Sequence, residues 1–424
     1  MSNKNTALAE SAQALFCALA EYLDIRNKKL NVYFDAKGSI DTYVKFKLNW
    51  ESKFKKDYEN IETIYDRFTS AGEKQKIIPL KDIETFLIND QSWYISSCLI
   101  GQKLVEDIGN VSIGFKNKKP KTSEIWFYRG DKEVMNNIKI LFDEANKTQR
   151  NFKKVDNKIG IPFGDINKWC PADIYFATTL AKKIINDKTS NKTGLTFDAL
   201  NKMVSNLITS GDLLPISLKK QTSSVHIECV NFNKSSEQKL LDQIEYNSYT
   251  WKFRDMKIFM TTLKSDKDYI LLRHDPSVET LRAEILIKGM EAKSGGLGFE
   301  QLIQIIALID DKLSNSIKSK FDNANKQFKK DKKPIRDQFE NAVKSFKINI
   351  KSEVKKDKEK IKEIRQNLMY DDKVGKLSEK VTDSVFPTVV KFLKNKESAD
   401  SFVRLVYQYA TSRSVKSSKF VIAK

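Results

Sequence analysis

Residues 172–177, 213–218 and 225–232 are three short β-prone runs, with a helix-forming stretch at 196–209 between the first two. That change of period, from two to 3.6 and back, restricts the chain to folds that mix sheet and helix. The helix carries its own boundary signals. Thr196 is an N-cap residue, Asp198 puts an acid in the first turn, and Gly211 stands near the C-end. Residues 124–129, 159–163, 249–260, 269–273 and 278–288 read as further strands, and 132–145 as a helix. The expectation is an α+β (or α/β) fold, with a mixed central sheet and flanking helices.

Toward both ends the chain turns helical. Leu8, Ala12, Leu15, Phe16, Leu19, Tyr22 and Leu23 recur at helical spacing, and 42–69, 81–89 and 91–107 repeat the pattern. Residues 1–113 therefore read as a helical N-terminal region. A basic, Pro-interrupted linker at 114–122 follows it. Residues 120–298 form the α/β core, and 299–424 a lysine-rich helical C-terminal region. Pro334 is expected to break the first long helix there. A short final helix spans 398–410, and the closing residues, 411–424, are small and basic with no element assigned.

Lysine and arginine total 75 against 55 acids, a net charge of +20, and the excess is mostly lysine. An ammonium is a point charge suited to phosphate contact without base reading, so the expected partner is nucleic acid bound in a salt-sensitive way. Abundant Lys, Asn and Ile together also fit a compositional bias, which would supply charge without function. At 40% hydrophobic the chain can bury a real core. Four scattered cysteines without a Cys-x-x-Cys, and two histidines, exclude a conventional zinc site and read as buried thiols of a reducing cytosol. No stretch approaches a membrane span, and the N-terminus lacks a signal-peptide apolar core, so the expected location is cytoplasmic, or a virion if the chain is phage-encoded.

Chemistry concentrates in 165–229. Asp173 lies on one β-prone run, and Ser217-Leu218-Lys219 closes the next. A carboxylate that holds Mg²⁺ beside an ammonium that steadies water and phosphate charge is the polar skeleton of a metal-dependent phosphodiesterase. These residues resemble the PD-(D/E)xK nuclease superfamily, in which Pro-Asp opens one strand and Glu-x-Lys closes the next. Here Ala172 separates Pro171 from Asp173, and Ser217 stands where the second acid belongs. The resemblance implies an endonuclease acting on DNA, with Asp173, Ser217, Lys219 and Glu228 as catalytic residues. It implies Mg²⁺ held by Asp173 and Glu228, helped by the carbonyl of Leu218. Glu124 and Glu10 are alternative sources of the missing acid. Asp173 as a turn cap and Lys219 as a solvated strand end is the competing reading.

Nucleic-acid contacts are expected at Lys220, Lys288, Lys293, Lys330, Lys332 and Lys333. Lys288 and Lys293 belong to a Lys- and Gly-rich turn that ends a strand and opens a helix at Phe299, where backbone N–H groups can meet phosphate. No Walker spacing follows, so neither nucleotide triphosphate nor another small-molecule cofactor is expected. Two other classes share the charge without needing a site: a non-catalytic nucleic-acid-binding or virion structural protein of a phage, and an interaction scaffold.

Overall fold

The computed structural model describes residues 3–38, 60–70, 78–108, 125–129, 133–153, 161–262, 265–286, 295–349, 372–414 and 416–424. The fold is α+β, with two five-stranded sheets among helices. The chain forms two compact units. Unit 1 comprises Met1–Phe152, Asp165–Lys234 and Val415–Lys424, and unit 2 comprises Lys153–Gly164 and Ser235–Ser414. This division replaces the expected three consecutive regions. The N-terminal helices share one apolar core with the sheet of unit 1, and the last ten residues supply a strand to that sheet.

Among its described residues unit 1 opens with the α-helices α1 (Asn3–Asp24), α2 (Ile61–Ser70), α3 (Leu80–Asn89) and α4 (Gln91–Ile108). Then come β1 (Ile125–Arg129), α5 (Glu133–Lys153), the single turn α6 (Ile166–Trp169), β2 (Ile174–Thr178), α7 (Thr179–Ser190), α8 (Phe197–Ser210), β3 (Leu213–Leu218) and β4 (Ile227–Val230); α9 (Lys234–Leu241) follows and, but for its first residue, belongs to unit 2. The sheet order is β1-β2-β3-β10-β4, where β10 is Phe420–Ala423. β10 runs parallel to β3 and antiparallel to β4, and the other pairs are antiparallel. Alternation sends Ile174, Phe176, Leu214, Ile216 and Leu218 into the core beneath Leu15, Phe16 and Leu19 of α1. On the other side of the strands Tyr128, Tyr175 and Leu213 are buried as well. With both faces covered, β2 and β3 read as continuous apolar runs.

Local signals held where they were strongest. Thr196 caps α8 by accepting from the Ala199 N–H at 3.2 Å, and Gly211 ends it at φ +82°. The boundary at 114–122 and most of the helical stretch at 42–69 lie outside the described residues, as do 159–160 of the strand expected at 159–163. Residues 161–163 form no strand; the Ile161 N–H donates to the Tyr409 hydroxyl instead.

Unit 2 is an antiparallel meander, β5 (Glu245–Lys252), β6 (Asp255–Thr261), β7 (Asp268–Asp275), β8 (Thr280–Leu286) and β9 (Gly295–Gly298). α10 (Phe299–Ile309), α11 (Asp311–Asn349), α12 (Asp372–Leu393) and α13 (Lys396–Ala410) follow it. The single run at 249–260 is a hairpin whose turn, Phe253-Arg254, has none of the Gly, Asn or Pro signals that mark such turns. Pro334 does not break α11; it sits inside the helix. The lost hydrogen bond and the ring clash, about 3 kcal/mol, are outweighed by packing along α11, where Ile317, Phe321 and Phe328 are buried.

Candidate active site in unit 1

The site begins with a pinned corner. Asp165 caps α6 by accepting from the Asn167 N–H at 2.8 Å, and Trp169 at the end of that turn is 1% exposed. Its carbonyl accepts from the Ser418 N–H, and the Tyr175 hydroxyl donates to Cys170 Sγ. The chain leaves this corner through Pro171, and the Asp173 N–H donates to the Ile216 carbonyl at 2.8 Å, one residue before β2 formally starts. Asp173 and the end of β3 are thus held side by side.

Asp173 Oδ2 accepts from the Leu218 N–H at 2.6 Å and from the Ser217 hydroxyl at 3.3 Å. Ser217 Oγ in turn accepts from Lys219 Nζ at 3.4 Å. Ser217 is 3% exposed, whereas Lys219 is exposed and Leu218 lies in the core. Alternation along β3 therefore sets Ser217 and Lys219 together on the polar side, beside Asp173. No described residue engages Asp173 Oδ1.

A second carboxylate, Glu10, lies on α1. Glu10 Oε2 accepts from Arg129 Nε at 3.0 Å, at the end of β1, the strand next to β2. Burial pushes Glu10 above the ordinary carboxylate range; the Arg129 charge opposes that shift, and the negative charge of Asp173 adds to it. Asp173 is raised as well, by burial, against the Leu218 and Ser217 hydrogen bonds and the Lys219 charge. Sequence reasoning named Glu10 only among alternatives and missed Arg129. An arginine closing an apolar β-run was the one signal for it.

Glu228 is placed elsewhere. It pairs in register with Ile422 of β10, which pairs with Ser217, so three strand spacings of about 4.8 Å lie between the Glu228 and Asp173 backbones. Its carboxylate forms an ion pair with Lys424. Glu124, Lys288 and Lys293 lie outside the described residues. Lys220 is committed to Asp90 at 3.2 Å and lies 4.9 Å over the Trp93 ring. Lys330 and Lys333 are exposed on α11. Lys332 is not: at 8% exposure it donates to the Pro276 carbonyl at 2.6 Å and pairs with Glu279 at 3.1 Å. It fastens a turn of unit 2 and corrects its expected phosphate contact, because a buried ammonium needs fixed acceptors.

The donor set suits a hard cation. Among the described residues no three acids, histidines or cysteines converge as a ligand cluster. Mg²⁺, however, is commonly held by one or two carboxylates, with water and substrate phosphate completing the shell. Asp173 and Glu10 are both carboxylates raised by burial. Burial raises the thiols of Cys17, Cys98 and Cys170, the last to about 12, so they remain protonated. His274 is a core residue, lowered to about 4 by burial, its Nδ1 2.7 Å from the Ser378 hydroxyl.

The raised carboxylates have a thermodynamic consequence. A carboxyl whose pKa rises on folding favours the native state while protonated, and that advantage is lost as pH climbs through the folded-state value. At neutral pH the ionised pair opposes folding. Asp173→Asn keeps an acceptor for the Leu218 N–H and removes the buried charge, so it is expected to raise Tm at pH 7. The gain should shrink as pH falls into the ordinary carboxylate range. Scanning calorimetry at both pH values checks this; an Asn variant less stable than wild type at neutral pH would show that the charge supports the fold.

Comparison with family models, curated proteins and solved structures finds no match to this chain. Among the described residues no helix is long and apolar enough to cross a membrane.

Proposed function

We propose that unit 1 is a Mg²⁺-dependent nuclease acting on DNA. One observation carries the reading: the Ser217 hydroxyl bridges the Asp173 carboxylate and the Lys219 ammonium on neighbouring strands. Asp173 and Glu10 would hold the metal, which supplies Lewis-acid stabilisation of the phosphoryl oxygens and a water made more acidic. Lys219 orients that water and offsets charge building on the phosphate. Arg129 fixes the Glu10 carboxylate. Ser217 donates to Asp173 and accepts from Lys219, coupling the acid to the ammonium. The lysine excess supplies sequence-independent grip on the backbone.

A second reading rests on Ser217 itself. A hydroxyl replaces the second strand acid, and Asp173 Oδ2 is already occupied by Leu218 and Ser217, an arrangement that also suits a binding protein whose site no longer cuts. Plasmid nicking with Mg²⁺ or Mn²⁺ separates the two. Wild type is expected to nick. Glu10→Gln should weaken metal dependence at least as much as loss of an outer-shell partner, about 10–100-fold in metal affinity, whereas Glu228→Gln should leave cutting unchanged. DNA binding with no nicking in either metal would establish the second reading, and sensitivity to Glu228→Gln with indifference to Glu10→Gln would reverse the ligand assignment.

A further inference from the structure

We propose that the β5–β6 hairpin tip and the start of α12 form a second nucleic-acid site, in unit 2, which stacks an unpaired base on Phe253 and grips the adjoining phosphates. The inference goes beyond cleavage and does not depend on it. A cavity of about 720 Å³, within the ordinary range of ligand pockets, opens here, lined by Lys252, Arg254, Lys257 and Lys376 with Phe253 among them. Among the described residues none of these four cations is ion-paired. Asp255, Asp372 and Glu379 also line the cavity, so it is mixed in charge, yet none of them neutralises a lysine or the arginine.

Phe253 is the unusual member. It is 65% exposed, the largest value among the exposed large hydrophobic side chains, and its backbone is held at φ +53°, a region that bulky residues rarely enter. A hairpin turn of this length is normally made with Gly, Asn or Asp. Here an aromatic occupies the strained position and projects into solvent. Its platform is firm: the Trp251 indole N–H donates to the Phe253 carbonyl at 2.8 Å, and the Trp251 ring stands edge-on to Phe386 of α12 at 5.5 Å. Lys252 Nζ lies 5.6 Å from the Phe253 ring, and Lys257 Nζ lies 5.0 Å over Tyr269. A flat ring beside unneutralised cations is the chemistry single-stranded nucleic acid requires, because each nucleotide offers both a π-face and a phosphate. Strain retained at an exposed aromatic points to a role outside the fold.

The test uses the full-length protein in EDTA, so that no strand is cut, and fluorescence anisotropy with labelled oligothymidylate and with the corresponding duplex. Phe253→Gly relieves the backbone strain and removes the ring. It should fold as well as wild type by circular dichroism and bind oligothymidylate about tenfold more weakly, as expected for one lost stack, with duplex affinity unchanged. Lys252→Glu, Arg254→Glu, Lys257→Glu and Lys376→Glu combined should weaken both ligands and reduce the single-strand salt slope by about 3. If both variants bind oligothymidylate like wild type, the proposal is overturned and the hairpin tip is left to a protein partner. Equal weakening of duplex and single strand by Phe253→Gly would also sink the stacking role. Because EDTA prevents turnover, a wild type that never cuts leaves either result unaffected.

Discussion

Replacing Lys219 with Ala is expected to lower Mg²⁺-dependent cleavage by about a hundredfold or more, the loss that follows removal of one electrostatic group from a transition state. The ammonium is exposed, 3.4 Å from Ser217 Oγ, and its charge opposes the burial that raises Asp173. Little of the fold depends on it: the Lys219 N–H continues to donate to the Ala423 carbonyl whatever the side chain. DNA affinity should fall by no more than one counterion's contribution to the salt slope, about 0.9 for duplex. Nicking rate and binding measured on the same preparation separate the two effects. A variant that cuts as fast as wild type would remove Lys219 from the chemistry and leave it a solvated strand end.

Trp169→Ala should have the largest effect on stability, about 3–5 kcal/mol for truncating a buried aromatic. The indole lies among Phe142 at 5.8 Å and Phe197 at 6.5 Å, and its N–H donates to Asn201 Oδ1 at 2.9 Å. Asn201 in turn donates to the Lys416 carbonyl, so the ring joins α5, α6 and α8 to the segment leading into β10. For a unit of this size the loss corresponds to a fall in Tm of roughly 6–20 °C. Because Trp169 ends the corner that delivers Asp173, cleavage should drop further than the folded fraction does. Thermal and urea unfolding check the magnitude; a cost below about 0.5 kcal/mol, the ordinary range for surface changes, would mean that the cavity collapses and the corner is not wedged by the indole. Trp169→Phe should cost less while still losing the Asn201 bond.

Charge reversal on α11 carries a related lesson. Lys330 and Lys333 are exposed, but Lys332 holds the Pro276 carbonyl and Glu279 from a buried position. Reversing all three would leave an acid buried against Glu279, so weakened binding would be confounded with damage to unit 2. Only the outer pair tests phosphate contact.

The strands that carry the site were legible without coordinates because their signals are local. β3 matches the run 213–218 residue for residue, and α8 is bounded by a side-chain cap at Thr196 and a left-handed Gly211. Alternation alone sets Ser217 and Lys219 on one side and Leu218 in the core, and the pairing of Asp173 with that strand end followed the expected neighbourhood. Where the local signal failed, a longer-range one prevailed: Phe253 makes a turn that composition does not mark, and Pro334 stays helical because packing along α11 exceeds its local cost.

The identity of the second carboxylate was not local at all. Glu228 sits nearest Lys219 in sequence among the acids considered, yet β10 inserts between β3 and β4 and carries it away from Asp173. Glu10, which we propose as the second ligand, lies on α1, where Arg129, 119 residues further on, holds it. By itself the sequence determined strands such as β2 and β3 and which of their side chains share a face, since these follow from backbone geometry and hydrophobic period, while β10 went unmarked and 161–163 forms no strand. Only the tertiary structure decided strand order and the distance of Glu228 from Asp173, since both depend on a C-terminal strand brought in by burial of apolar surface distant along the chain.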